Sequence, residues 1–221
     1  MKLWFLLVAA SLGAAAAAGA QPAEPVRLAR ADAHGAIGWE NIHHPQATPG
    51  SYSNDWLNSV FYGGAGAGWY WTDHLKTQVD VGAGTRARQY NYRPVLVGGQ
   101  STTEFSELRV QDRDLAISQQ YQFFRNQWFH PHVGAGVDIV RETTTQEYQA
   151  VTIYDSATRL PRVISPPHTE GPEHRFVARP FGEVGFKGYM TRRAFFMGDA
   201  RVMFRHGVDE VLFRIGFGVD F

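Results

Sequence analysis

Histidine pairs, arginine–carboxylate sets and a lack of thiols bound the chemistry open to this 221-residue chain. It has no Cys, which excludes a thiolate nucleophile, a disulfide scaffold and a Cys-ligated zinc or iron–sulfur centre. His130 and His132 stand two apart and so share one side of an extended segment, while His43 and His44 are adjacent. Metal capture needs three or four convergent ligands with supporting hydrogen bonds, and no carboxylate accompanies either pair at a telling spacing. The first pair reads as polar filling and the second as solvated loop, with no metal and no cofactor. His206 follows Arg205, but the residue two further on is Val208, so no hydroxyl waits there to be activated. Lys plus Arg number 21 and Asp plus Glu 21, a balance that gives no electrostatic case for nucleic acid as a partner.

The elements that position these residues follow from composition and period. Hydrophobic residues make up 44 % of the chain and aromatics 14 %, too many for disorder. Residues 1–20 carry Lys2, an apolar run from Leu3 to Ala10 and a small-residue end at Ala18-Gly19-Ala20, the order of a secretory signal peptide. Residues 21–32 then form a short periplasmic lead. The longest later stretch without a charge, Trp56 to Thr72, contains Gly63, Gly64, Gly66 and Gly68, each costing a helix about 1 kcal/mol relative to Ala. A membrane protein without helical spans must cross as a closed sheet, because only closure satisfies its backbone groups in lipid.

Alternation runs along the whole mature chain. At its end Val211, Phe213, Ile215, Phe217, Val219 and Phe221 alternate with Leu212, Arg214, Gly216, Gly218 and Asp220. Over Thr77–Gln89, Val79, Val81, Ala83, Thr85 and Ala87 oppose Gln78, Asp80, Gly82, Gly84, Arg86 and Arg88 in the same way. Charges and glycines share one face each time. Eight strands follow, at roughly 33–42, 57–71, 75–92, 106–124, 128–149, 174–190, 195–206 and 210–221. Thr72-Asp73-His74, Arg125-Asn126-Gln127 and Thr191-Arg192-Arg193 are tight turns, whereas 43–56, 93–105 and 150–173 are long loops and only Gly207-Val208-Asp209 is short on that side. Short turns at one end and long loops at the other suit an outer-membrane barrel. Trp69, Trp71, Phe123, Phe129, Tyr189, Phe196 and Phe221 cluster near the short turns as an aromatic girdle, with Trp39, Phe61, Phe176, Phe204 and Phe213 as a second, less complete ring.

On these residues the chain resembles the OmpA-transmembrane and OmpX class of eight-stranded bacterial outer-membrane barrels, over about 33–221. Arg214, Gly216, Val219 and Phe221 match that class's C-terminal assembly signal. The resemblance implies a Gram-negative outer membrane, insertion by the barrel-assembly machinery, and contact with outer-membrane lipid and lipopolysaccharide. It implies short turns in the periplasm and long loops outside. The chain is read as ending at the barrel, so no peptidoglycan-binding role is carried over. Two departures stand out. Pro131 and Pro180 fall inside strands, where bulges are expected. The fourth strand slips phase, with Leu108 and Val110 even but Leu115, Ile117, Tyr121 and Phe123 odd, and its outer part is read as projecting beyond the lipid.

Eight strands leave a lumen that side chains fill. Counting from the short turns puts Glu40, Glu183, Arg201 and Arg214 at one depth as a ring, with Asp80, Asp199 and Lys187 near enough to join. The fold class is therefore all-β, an eight-stranded antiparallel up-and-down transmembrane barrel. Its role is read as non-enzymatic, structural or surface-interaction, with a lumen plugged by charges. Two alternatives stay open: a narrow porin-like channel, and a lipid A-modifying enzyme of the deacylase type. In the second, His206 occupies the catalytic His position, but the Ser of the pattern is replaced by Val208. The arginines of the 150–173 loop, Arg159 and Arg162, could meet lipopolysaccharide phosphates or an extracellular ligand the sequence does not name.

Overall fold

A computed structural model describes residues 29–43, 56–124, 128–155, 158 and 160–221, without the side chains of 57–59. The expected signal peptide, most of the lead, most of the 43–56 loop with His44, the 125–127 turn and Arg159 lie outside the described residues. The strands are β1 (Ala31–His43), β2 (Trp56–Tyr70), β3 (Leu75–Gly84), β4 (Ala87–Val97), β5 (Gln100–Gln122), β6 (Phe129–Tyr148), β7 (Val151–Tyr154), β8 (Pro161–Ser165), β9 (His168–Tyr189), β10 (Ala194–Phe204) and β11 (Val208–Asp220). The main sheet runs β3-β2-β1-β11-β10-β9-β6-β5-β4, and β3 also pairs with β5, which closes a ring of eight strands. Every pairing is antiparallel; β3 pairs with β5 across the β4 hairpin strand, β6 pairs with β9 across β7 and β8, and the ring closes at the seam where β1 meets β11 from Asp32↔Asp220 to Ile42↔Glu210.

Strand lengths fit the shape. β3 has 10 residues, β10 has 11, and β1 and β11 have 13 each, close to the ~9–11 residues a tilted strand needs to cross hydrocarbon. The two-residue period sorts the faces: Ile37, Trp39, Val81, Ile117, Val137, Val184, Ile215 and Phe217 stand exposed on the outer wall, while Asp80, Arg201, Arg214 and Lys76 are buried inside. An inside-out distribution of this kind is costly in water and favourable in lipid.

Four sequence expectations need correction. The strand expected at 75–92 is interrupted at Thr85–Arg86, where the Phe61 N–H donates to Thr85 Oγ1 at 3.0 Å, and β4 then continues to Val97 with the opposite parity, so that Ala87 is buried and Arg86 and Arg88 are exposed rather than the reverse. The expected loop 93–105 is instead a hairpin: β4 and β5 pair out to Val97↔Gln100 around Gly98 and Gly99. Those two residues have φ of 57° and 81°, the left-handed turn that glycine takes without a Cβ penalty. The 150–173 loop contains the β7–β8 hairpin, and β9 begins at His168. Pro131↔Phe186 and Val137↔Pro180 sit in unbroken register, the only β6–β9 irregularity being at Thr144/Gln146, so each proline removes one donor without a bulge.

The apparent phase slip of the fourth strand has a different cause from the one expected. Leu108 and Val110 keep the interior parity of β5 and are buried with Ile42, Val60 and Ala87 in an apolar cluster. The strand does not slip; the inside changes from charged to apolar toward the long-hairpin end.

Glycines let large interior side chains lie flat against the wall. A Cβ at Gly82 would overlap the Tyr62 ring, whose hydroxyl donates to Asp114 Oδ2 at 3.0 Å. Gly82→Ala is expected to lose about 1–3 kcal/mol in urea unfolding, the usual scale of overpacking, and Tyr62→Ala in the same chain should recover most of it. A Gly82→Ala protein as stable as the parent would show that Tyr62 does not hold this slot.

Candidate functional site in the barrel lumen

Even-numbered residues of β1 and β3, and their counterparts on the other strands, bring an unusual set of charges inside. At the short-turn end Lys187 Nζ lies 2.5 Å from Asp32 Oδ2 and 3.1 Å from Asp220 Oδ1, and donates to Tyr70 Oη at 2.7 Å. Lys76 Nζ also reaches Asp32 Oδ2, at 3.1 Å, and donates to Gln78 Oε1 at 2.6 Å. Tyr70 and Tyr189 donate their hydroxyls to Asp32 and Asp220 at 2.8 and 2.5 Å. Two lysines thus face two aspartates, and the phenols add a hydrogen bond to each, while Asp32 Oδ1 has no partner among the described residues.

Further in, Arg201 Nε donates to Glu183 Oε2 at 2.9 Å and its Nη2 contacts Asp80. Arg214 grips Asp199 through two bonds of 2.8 and 3.1 Å and stands 3.5 Å from Asp80 Oδ1. Asp80 also meets His34 Nε2 at 2.9 Å and accepts from Gln78 at 3.0 Å. Gln120 donates to Glu183 Oε1 at 2.8 Å. Paired, hydrogen-bonded charges are the form in which a poorly solvated space tolerates ions.

Of the expected ring, Glu183, Arg201 and Arg214 do come together, joined by Asp80 and Asp199. Glu40 does not. The β1–β11 register sets Gly38, not Glu40, opposite Arg214, because tilted strands stagger depth relative to a count from the turns. Glu40 instead lies with Asp112 and Glu210, the three offering oxygens within 4.8 Å of one another. Beside them Arg179 Nη2 is 2.7 Å from Glu210 and 3.2 Å from Asp138, and its Nη1 is 3.2 Å from Asp209. Lys187 belongs to the short-turn group rather than the ring. His34, Asp32, Lys76, Asp112, Asp138, Arg179 and Glu210 were not among the expected ring residues; parity read from the sequence turns all but Asp112 inward, and the false phase slip hid Asp112.

The expected girdle residues Trp69, Trp71, Phe123, Phe196 and Phe221 are exposed on the outer wall. Phe129 stacks on Phe186 at 5.4 Å, and the Trp71 indole donates to Thr77 Oγ1 at 2.8 Å. Tyr189 departs from the group: it shares the interior parity of Lys187, and its hydroxyl turns to Asp220. Of the assembly-signal residues, Arg214 is buried in its Asp199 pair, Gly216 is buried, and Val219 and Phe221 face outward. His130 and His132 are buried in the lumen. His206 is exposed and forms no hydrogen bond among the described residues.

The eight-stranded ring has a counterpart among solved structures. The chain superimposes on the outer membrane protein OprG from Pseudomonas aeruginosa with a TM-score of 0.52 at 13 % identity, covering 88 % of this chain and 97 % of OprG. This is the fold of a small outer-membrane β-barrel. The barrel is also similar to Neisserial surface protein A (TM-score 0.47, 12 % identity, 86 % of this chain and 97 % of that one). For the N-terminal β-barrel domain of Pseudomonas aeruginosa OprF the values are 0.45, 13 %, 88 % and 100 %. No family model and no curated protein matches the barrel's sequence.

Proposed function

We propose that the chain is a non-enzymatic outer-membrane barrel with a structural or surface-interaction role, its lumen closed by the charged side chains described above. The observation that carries this is the inverted wall: exposed Trp39, Ile117, Val137, Ile215 and Phe217 against buried Asp80, Glu183, Arg201 and Arg214. Short turns then lie in the periplasm, and β4 with the outer parts of β5, β6 and β9 projects from the cell as a sheet. That projection exposes Tyr90, Tyr92, Leu96 and Phe105, the kind of aromatic surface through which partners are held.

Lipopolysaccharide is the lipid partner this reading favours. Arg113 and Arg141 are direct cross-strand partners, and both face outward just beyond Leu115 and Ile139. Like charges set opposite each other repel, so the pair is stabilised by an anion such as a headgroup phosphate. The final strand, with outward Val219 and Phe221, is the element the barrel-assembly machinery would recognise.

In planar bilayers the purified protein is expected to give no sustained unitary current, because the ion pairs that fill the lumen would have to break for each ion to pass. Stable conductance steps that change on charge reversal at Arg201 would overturn the closed lumen. Lipid A from expressing and non-expressing cells should carry the same acyl chains. A lost chain that returns with His206→Ala would establish the enzyme instead.

A further inference from the structure

We propose that Glu40, Asp112 and Glu210 form a binding site for a hard divalent cation of calcium size inside the barrel, toward the long-hairpin end. The three carboxylates come from β1, β5 and β11, so the closed ring assembles them, and each is buried: Glu40 is 3 %, Asp112 5 % and Glu210 2 % exposed. Their oxygens lie within 4.8 Å of one another. Two oxygens bound to one calcium ion at ~2.3–2.6 Å can be that far apart.

Crowding alone does not make a site; unmet demand does. Glu40 Oε2 and Asp112 Oδ1 have no hydrogen-bond partner among the described residues, although both residues are more than nine-tenths buried. Neither residue has a basic partner there. A buried carboxylate left in that condition is expensive, so native interiors pair it, protonate it or give it a metal.

Charge balance along the lumen distinguishes this place from the rest. Near the short turns Lys76 and Lys187 answer Asp32 and Asp220. In the ring Arg201, Arg214 and His34 answer Asp80, Glu183 and Asp199. Toward the hairpins a single guanidinium, Arg179, is shared by Asp138, Asp209 and Glu210. Asp114 has the Tyr62 hydroxyl, and Glu40 and Asp112, which feel Arg179 only at longer range, form no ion pair among the described residues. Asp138 Oδ1, another buried acceptor beside Arg179, is likewise unbonded among the described residues. A divalent ion supplies the missing positive charge and the missing bonds together.

The donor set selects the ion class. All three ligands are carboxylates, with no imidazole or thiolate among them, which suits calcium or magnesium over zinc or copper. The apolar cluster of Ile42, Val60, Ala87, Leu108 and Val110 lies one step further along β1 and β5 and covers the site from the hairpin side. Proximity of Arg179 to Glu210 leaves Glu40 and Asp112 as the principal ligands.

The test is isothermal titration of the protein, purified in a zwitterionic detergent and stripped with a chelator that is then removed, with calcium chloride. One saturable site is expected, and Glu40→Gln and Asp112→Asn should each weaken it at least tenfold, while Glu104→Gln on the projecting hairpin leaves it unchanged. Retarded migration of the unboiled protein on gels checks that each variant is closed. Should a variant fail to close, terbium bound by the parent protein and excited through its aromatic residues must be displaced by calcium at one equivalent. Absence of saturable binding at millimolar calcium would overturn the site and mean that the carboxylates hold protons instead. Unweakened binding in the closed Glu40→Gln, Asp112→Asn double variant would overturn it as well.

Discussion

Arg201→Met is expected to destabilise the folded barrel by about 3–5 kcal/mol in urea unfolding, the cost of breaking a buried ion pair from one side. The guanidinium bonds Glu183 at 2.9 Å and contacts Asp80, and its loss leaves Glu183 with the Gln120 amide but no ion pair among the described residues, and Asp80 with His34 and the more distant Arg214. The size of the effect comes less from the bond removed than from the charge left behind in a space with little water. Glu183→Gln combined with Arg201→Met should therefore be more stable than Arg201→Met by itself, since the double variant no longer strands a carboxylate. A single substitution costing under about 1 kcal/mol would mean that the lumen is wet enough to screen its charges, and the closed-lumen reading would go with it.

Val137→Arg tests the outer wall. Val137 is 48 % exposed, its cross-strand partner Ile117 is 47 % exposed, and both lie mid-belt between Phe129 and Arg141. An arginine facing lipid near the bilayer midplane costs about 2–4 kcal/mol, falling toward zero near the interfaces. Ser101→Arg on the β4–β5 hairpin, which the proposed function sets outside the bilayer, should change stability by no more than about 0.5 kcal/mol. Measured in lipid vesicles, equal effects at the two positions would remove the hydrocarbon contact on which the membrane reading rests.

How much of this was legible in the sequence depends on which physical signal each residue carried. The eight-stranded ring was, because alternation over Val211–Phe221 or Val79–Thr85 is a local consequence of the strand's two-residue period. Parity likewise put Arg201, Arg214, Glu183 and Asp80 inside. Depth was harder: it depends on tilt and register, which are set between strands, and Glu40 was accordingly placed with Arg214 although Gly38 is the actual neighbour. Leu108 and Val110 misled for a related reason. Their even positions were read as a slip of the strand with its outer part projecting beyond the lipid, whereas inside this barrel the chemistry changes along the axis and the parity does not. That error concealed Asp112, and with it the trio on β1, β5 and β11. The Gly98–Gly99 hairpin carried a clear turn signal but was absorbed into a longer loop.

The β1–β11 seam bears on how the molecule comes into being. Its partners, such as Asp32 and Asp220, are separated by nearly the whole described chain, and Lys187 bridges the same two aspartates. Contacts of such sequence separation form slowly, since the entropy of bringing remote segments together must be met before they reward it. Until that junction zips, each terminal strand offers a row of unsatisfied amides to any passing neighbour. Folding of the barrel should accordingly be governed by one late, all-or-none closure rather than by sequential addition of hairpins.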